Sequence, residues 1–284
     1  VYRCALLLAF LAAFGCARTP PPPEPAGDES PALGRRFDPA TCGGLVGVVR
    51  WDGPPPHAPA TTATRTPGNY QDRSPLRPWP NPHAPVIDPA SGGVRDAVVL
   101  LRGVDPERSK PWDLPPARVE IADAAIVVVQ GDDRGPVGVV PRGAAVEMVS
   151  REERLHLLRA RGAAFFSQPL TEPGVVRSRT LGSEGHVELS SGAGYFWMRA
   201  HLFVSEHPYV ARTDAAGRFA FENVPAGPVE VVAWLPNWRE RDHEVNPDTG
   251  LRTGVEFAAP LTQTGRATVE AGRTIPLPPA VFRE

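Results

Sequence analysis

The stretch Tyr209-Val210-Ala211-Arg212-Thr213-Asp214-Ala215-Ala216-Gly217-Arg218-Phe219-Ala220-Phe221 decides the fold. After the turn, apolar and polar residues alternate strictly, the period of a strand with one buried face. Asp214 can fold back on its own backbone and Gly217 accepts a positive φ, so Asp214-Ala215-Ala216-Gly217 reads as the turn of a hairpin. A second turn, Asn223-Val224-Pro225-Ala226-Gly227, leads into the apolar run Val229 to Trp234. Working outward, strand signals occur at Leu45 to Trp51, Ala97 to Arg102, Ala124 to Val129, Val137 to Val140 and Ala145 to Val149. They continue at Ala164 to Phe166, Val187 to Leu189 and the aromatic run Tyr195 to Val204, with edge strands expected at Ala267 to Glu270 and Ile275 to Leu277. Residues 53–93 read as a long proline-rich surface excursion, 151–161 as loop or strand, and 236–262 as an insertion.

Composition points the same way. Gly 27 plus Pro 35 make 62 of 284 residues, well above the average of about 12% for the two together. Proline at that density excludes helical bundles and coiled coils. The fold class is therefore all-β, many short strands in sandwich form. With 30 basic and 32 acidic residues the formal charge is -2, which gives no electrostatic case for nucleic acid.

The N-terminal region carries a different signal. Arg3 precedes an apolar run, Ala5 to Phe14, of about ten residues, too short for a bilayer that needs about 20. Residues 1–16 read as a signal peptide ending in Ala13-Phe14-Gly15-Cys16, which resembles a bacterial lipobox whose cysteine takes a lipid. Ordinary secretion and a retained anchor are the alternatives. Residues 17–41, with Pro20 to Pro23, Pro25, Pro31 and Pro39, read as an extended linker. Cys42 is then the one cysteine left in the mature body, so no internal disulfide is expected.

Two groups of residues resemble known families. His207-Pro208-Tyr209, Thr213 to Phe219, Val224 to Gly227 and Val232-Ala233-Trp234 resemble the carboxypeptidase-regulatory-like, transthyretin-like sandwich of bacterial secreted proteins. Arg154-Leu155-His156 through Phe166, then Tyr195-Phe196-Trp197-Met198-Arg199-Ala200, resemble plastocyanin-like proteins of the methylamine-utilisation type. In those a cupredoxin unit runs directly into such a hairpin. Gly47 to Pro54 and Ala97 to Leu101 are similar to that family's first two strands. The resemblance implies a cupredoxin-like Greek-key sandwich over 42–204, continuous with a smaller transthyretin-like, Ig-like sandwich over 205–284.

It also implies where copper would sit. The family's first His falls on His156 and its Met on Met198, but the Cys position falls on Ser191 or Gly192 and the second His on Tyr195. A blue-copper centre needs the thiolate and both imidazoles, so no metal site and no cofactor is expected. Tyr195, Trp197, Trp234 and Trp238 are candidate ligand-binding aromatics, with core packing as the other reading. His201 and His207 flank one strand six residues apart, about 20 Å at 3.3 Å per residue, too far for one compact site.

Catalytic motifs are absent: no Gly-x-Ser-x-Gly elbow surrounds Ser190 or Ser191, His243-Glu244 lacks the second His of a zinc protease, and no Walker loop occurs. The expectation is a noncatalytic, extracytoplasmic, lipid-anchored binding or structural module in the periplasm or cell envelope. Its expected contacts are the membrane, through the lipid, and a protein or glycan partner. The alternative is a copper-handling or electron-transfer protein with a nonstandard site. The anchoring expectation is testable: Cys16→Ser should release the protein from the membrane fraction or stall its processing, as read by fractionation and intact mass. A variant equally membrane-bound and normally processed would refute it.

Overall fold

Val98-Val99-Leu100-Leu101 is apolar at every position, so both faces of its strand need cover. In the computed structural model, which describes residues 36–65, 74–248 and 250–284, that cover comes from two sides. The signal run, Cys16 and most of the linker lie outside the described residues. Four sheets stack face to face, with three layers of apolar side chains between them. Among the described residues helical structure is limited to two short 3-10 turns, so the chain is all-β.

The first sheet is built on Cys42–Asp52, paired antiparallel to Arg218–Pro225 on one edge and parallel to Thr274–Pro276 and Ala280–Arg283 on the other. The second runs in the order Val210–Arg212, Val98–Arg102, Gly227–Leu235, Leu261–Val269. Leu45, Val49, Trp51, Phe219 and Phe221 from the first meet Val99, Leu101, Ala233 and Leu235 from the second. Alternation sends Val98, Leu100 and Trp234 to the opposite face of the second sheet, where they pack with Val137, Val139 and Phe203 of the third.

The third sheet has the order Val137–Pro141, Arg199–Ser205, Gly185–Ser191, His156–Gly162, Phe166–Leu170. The fourth has the order Arg177–Thr180, Ala145–Ser150, Ala117–Ala122, Ala125–Gln130, Asp133–Gly135. Leu158, Ala160, Val187, Leu189 and Leu202 face Val119, Ile121, Ile126, Val146 and Met148 across the largest core. Two parallel pairings, Val137–Pro141 with Arg199–Ser205 and Ala117–Ala122 with Ala145–Ser150, mark the crossovers of this sandwich.

The pairing crosses the boundary expected at 204/205. Cys42–Asp52 and Val98–Arg102, assigned from sequence to the cupredoxin-like unit, pair with the C-terminal strands. Residues 117–205 instead form a two-sheet insert between Val98–Arg102 and Val210–Arg212, neighbouring antiparallel strands of the second sheet. Everything described belongs to one compact unit, Leu33–Glu284.

Several local readings also change. The run expected as strand from Tyr195 begins only at Arg199; Tyr195–Met198 is a turn closed by the Met198 N–H to the Tyr195 carbonyl at 2.9 Å. All four of its side chains are buried in succession, which a strand facing one core cannot achieve. The window 151–161, read as loop or strand, is loop to residue 155 and strand from His156, within that reading, whereas the expected insertion at 236–262 contains the hairpin Glu240–Val245 and Arg252–Phe257. Ala117–Ala122 is a central strand that the strand signals did not include.

The hairpin that decided the fold is locked by side chains and by backbone contact. Asp214 Oδ1 accepts the N–H groups of Ala216 and Arg218, both at 2.8 Å. Thr213 Oγ1 donates to the Val94 carbonyl at 2.7 Å, and the Tyr209 hydroxyl donates to the Asn223 carbonyl at 2.6 Å. Gly217, at φ +75°, lies so close to Cys42–Asp52 that a Cβ there would sit 2.2 Å from the Val49 carbonyl oxygen. Alanine at 217 therefore meets two penalties, about 1–2 kcal/mol for the left-handed conformation and the displacement of a sheet backbone besides. Gly217→Ala should lower stability by about 3 kcal/mol, or about 6–12 °C in melting temperature. Gly53, at φ +97°, where a Cβ would meet nothing within 4 Å, is the control: Gly53→Ala should cost only the conformational part, about 1–2 kcal/mol. Equal melting of the two variants would refute the close-packing account.

Candidate functional site

The locus implied by the resemblance forms where Tyr195–Met198 meets the start of His156–Gly162. The hairpin between Ala117–Ala122 and Ala125–Gln130 turns through Asp123 and Ala124, both at positive φ (51° and 57°). That strained turn is held by partners on both sides. The Ala124 N–H donates to Glu152 Oε1 at 2.6 Å, and the Ala124 carbonyl accepts Trp197 Nε1 at 2.9 Å. Glu152 Oε2 accepts from His156 Nε2 at 2.9 Å and forms an ion pair with Arg154 Nε, also at 2.9 Å. Burial works against the charge of Glu152, yet the N–H groups of Ala124 and His156 and the positive charge of Arg154 outweigh it and hold the carboxyl below its usual range.

Aromatic rings close the rest. Tyr195 lies 5.4 Å from the His156 ring and edge-on to Trp197 at 5.7 Å. Trp197 stacks on Trp79, centroids 3.8 Å apart and planes 10° apart, and the Arg77 guanidinium covers Trp79 at 3.9 Å. Trp79 comes from the strand Arg77–Trp79 inside the proline-rich excursion, which thus reaches back over the locus. Met198 is buried in the same core, and Ser191 Oγ accepts the Ala193 N–H at 3.1 Å.

This donor set does not fit a blue-copper ion. His156 Nδ1 is buried without a hydrogen-bond partner, and Met198 supplies a thioether, but no thiolate is present. Cys42 lies buried at the start of the first sheet, in a part of the stack away from the core that holds Met198, and burial pushes its thiol up. Soft ligation of copper needs that sulfur.

Tyr195, Trp197, Trp234 and Trp238 are between 2% and 7% exposed. None lines the larger surface hollows, of which one of about 800 Å³ is walled by charged groups such as Arg95, Asp96, Asp133 and Arg212. The structure places all four in cores, the other reading the sequence offered: Tyr195 and Trp197 through the 195–198 turn, Trp234 by strand parity, and Trp238 from the connection that follows Gly227–Leu235.

A second cluster was not singled out from sequence. His201, on Arg199–Ser205, faces the second sheet as Phe203 does; His186, on Gly185–Ser191, lies diagonally opposite, and His186 Nε2 is 3.0 Å from His201 Nδ1. His83 arrives from the excursion, its ring 5.2 Å from His201 and 4.2 Å from Phe257. Asn81 fixes that loop by donating to the Trp238 carbonyl at 2.8 Å, and His83 Nδ1 meets the Asn237 carbonyl at 3.0 Å. Burial pushes His83 and His186 down to about 4 and holds His201 well below the usual imidazole range, so all three are neutral at pH 7. His207 is elsewhere, on Ser205 and Tyr209. Residues 83, 186 and 201 are far apart in sequence; the one legible sign was a histidine at 201 inside the apolar run Ala200 to Val204.

The Glu152 knot generates a prediction. Glu152→Ala leaves the Ala124 N–H and His156 Nε2 without their acceptor, at about 1–3 kcal/mol per buried group. The expected loss is about 3 kcal/mol at pH 7, read from urea midpoints. Because the folded carboxyl is held below its unfolded value, its stabilisation is present above about pH 4.3 and lost as pH falls through the folded value. The difference between variant and parent should therefore narrow as pH falls through the folded carboxyl's value; a constant difference across the acid range would refute the account.

No protein-family model matches the chain, and no curated protein matches it. Solved structures similar to it include an oxidized amicyanin variant, at 21% identity over 31% of this chain and 80% of that one, with a TM-score of 0.26. A reduced amicyanin variant has 20% identity over 34% and 87%, with a TM-score of 0.27. The purple cupredoxin from Nitrosopumilus maritimus has 16% identity over 32% and 99%, with a TM-score of 0.25. Each likeness covers about a third of this chain and carries no argument about ligand or activity.

Proposed function

We propose that the protein is a noncatalytic, extracytoplasmic binding or structural module, held at the membrane by a lipid on Cys16. In this reading it is built on the plastocyanin-like plan of the methylamine-utilisation type, with a carboxypeptidase-regulatory-like sandwich supplied by the first two sheets. The observation that carries it is the state of the locus around His156: Glu152, His156, Trp197 and the Ala124 turn are bound to one another, Ser191 Oγ is taken by the Ala193 N–H, and Trp79 covers the ring stack. Such a site serves packing. A protein or glycan partner would meet the loops; Phe165, 87% exposed in the turn between His156–Gly162 and Phe166–Leu170, offers the most exposed apolar side chain among the described residues.

The test is spectroscopic. The absorption of a blue-copper centre near 600 nm is a thiolate-to-copper charge transfer. Protein loaded with one equivalent of Cu(II) should stay colourless there and gain no more than about 1 kcal/mol of stability. A blue colour abolished by Cys42→Ser would overturn the noncatalytic reading in favour of electron transfer.

A further inference from the structure

Three imidazoles pack together at the seam of the second and third sheets, a chamber walled by the rings of Trp234, Phe203 and Phe257. Trp234 lies 4.9 Å from both His186 and His201, and His83 tilts against His201 and Phe257. His83 and His201 are more than nine-tenths buried, and His83 Nε2 has no hydrogen-bond partner at all. A buried polar nitrogen without a partner costs free energy, and an apolar residue at 83 would avoid that cost. His186 Nε2 and His201 Nδ1 hold each other in a hydrogen bond, and His83 Nε2 beside them is left with no partner.

We propose that His186 and His201, joined by His83, form a buried site for a monovalent soft cation, Cu(I). Metal–imidazole bonds of about 2.0 Å place two ligand nitrogens about 3.3 Å apart at a tetrahedral angle and about 4 Å apart when collinear. His186 Nε2 and His201 Nδ1 stand at 3.0 Å, so a metal enters between them when the donor ring carries its proton on its other nitrogen instead and the two rings part by a few tenths of an ångström to about 1 Å. Among the described residues no three His, Cys, Asp or Glu side chains already converge on one point. The site therefore starts from two ligands in place and draws His83 Nε2 in as the third. Two- and three-coordinate nitrogen sites suit Cu(I), whereas Zn(II) favours four ligands.

Charge selects in the same direction. The ionised groups nearest the chamber are Arg199 and Glu188, which pair with each other, and Arg199 Nη2 also donates to the Val255 carbonyl at 2.7 Å. No unpaired carboxylate faces the imidazoles, so a divalent ion would bury two uncompensated charges beside a guanidinium. A monovalent ion buries one. Half-buried His186 gives the chamber its contact with solvent, and hence an entry path.

The experiment uses the full folded body, freed of metal by chelator and titrated anaerobically with Cu(I) against a chromophoric Cu(I) chelator, with Ag(I) as an air-stable surrogate. One equivalent should bind, quench tryptophan fluorescence through Trp234, and give an X-ray absorption shell of nitrogen alone. His186→Gln and His201→Gln, each checked for a native melt, should weaken binding at least tenfold. His83→Gln, on the excursion rather than in a sheet, should weaken it less and lower the coordination number. Met198→Leu should leave affinity unchanged. Failure to retain Cu(I), or unchanged affinity in a folded His186→Gln, overturns the proposal; so does sulfur in the shell lost in Met198→Leu, which would move the ion to His156. That last result would also overturn the closed-locus reading, whereas simple failure to bind Cu(I) would leave it standing.

Discussion

Burial of both faces of Val98–Arg102 is the constraint on which the rest of the structure depends. A strand with Val98 and Leu100 on one face and Val99 and Leu101 on the other cannot lie at a surface. One cover is the first sheet, assembled from the beginning of the described chain and its end, Cys42–Asp52 with Thr274–Pro276 and Ala280–Arg283. The other is the third sheet, which needs the fourth to bury its own far face. Four layers follow from one strand that is apolar on both sides.

The same constraint explains how an insert of some ninety residues is tolerated between two strands of one sheet. Residues 117–205 leave after Val98–Arg102 and return into Val210–Arg212, and these strands pair directly, Leu100 opposite Val210. The ends of the insert are thus neighbours in space, the geometry in which an inserted unit does least damage to its host. Trp234, Val210 and Phe203 then fill the seam between host and insert. Rings of that size contribute about 1.5–3 kcal/mol each on burial.

The hairpin 209–221 was legible because all of its information is local: alternation, an Asp that folds back, and a Gly at positive φ. The membership of Cys42–Asp52 was not, because its partners are about 170 to 230 residues away and the run Leu45 to Trp51 suits either sandwich equally well. Ala117–Ala122 escaped notice because Arg118 and Glu120 interrupt its apolar positions; Glu120 is buried and neutralised by Arg134 and Arg151, which no strand pattern announces. That no cysteine stands near Ser191 or Tyr195 was readable residue by residue. That Trp79, inside a stretch read as surface excursion, stacks on Trp197 could not be read at all.

The histidine chamber lies at the seam for a reason of parity. On Arg199–Ser205, residues 200, 202 and 204 enter the largest core, while 201, 203 and 205 face the second sheet. Phe203 meets Trp234 there as an apolar side chain should; His201 occupies an equivalent position with a polar ring. Valine or leucine at 201 would fill that position without desolvating two nitrogens, so stability alone gives no account of the imidazole. His186 satisfies one nitrogen of His201, but His83, brought in by a loop that Asn81 and Asn237 hold in place, adds a further buried nitrogen and satisfies none. A seam built only to join two sandwiches would be more stable dry and apolar; the third ring makes sense when the nitrogens have a cation to share.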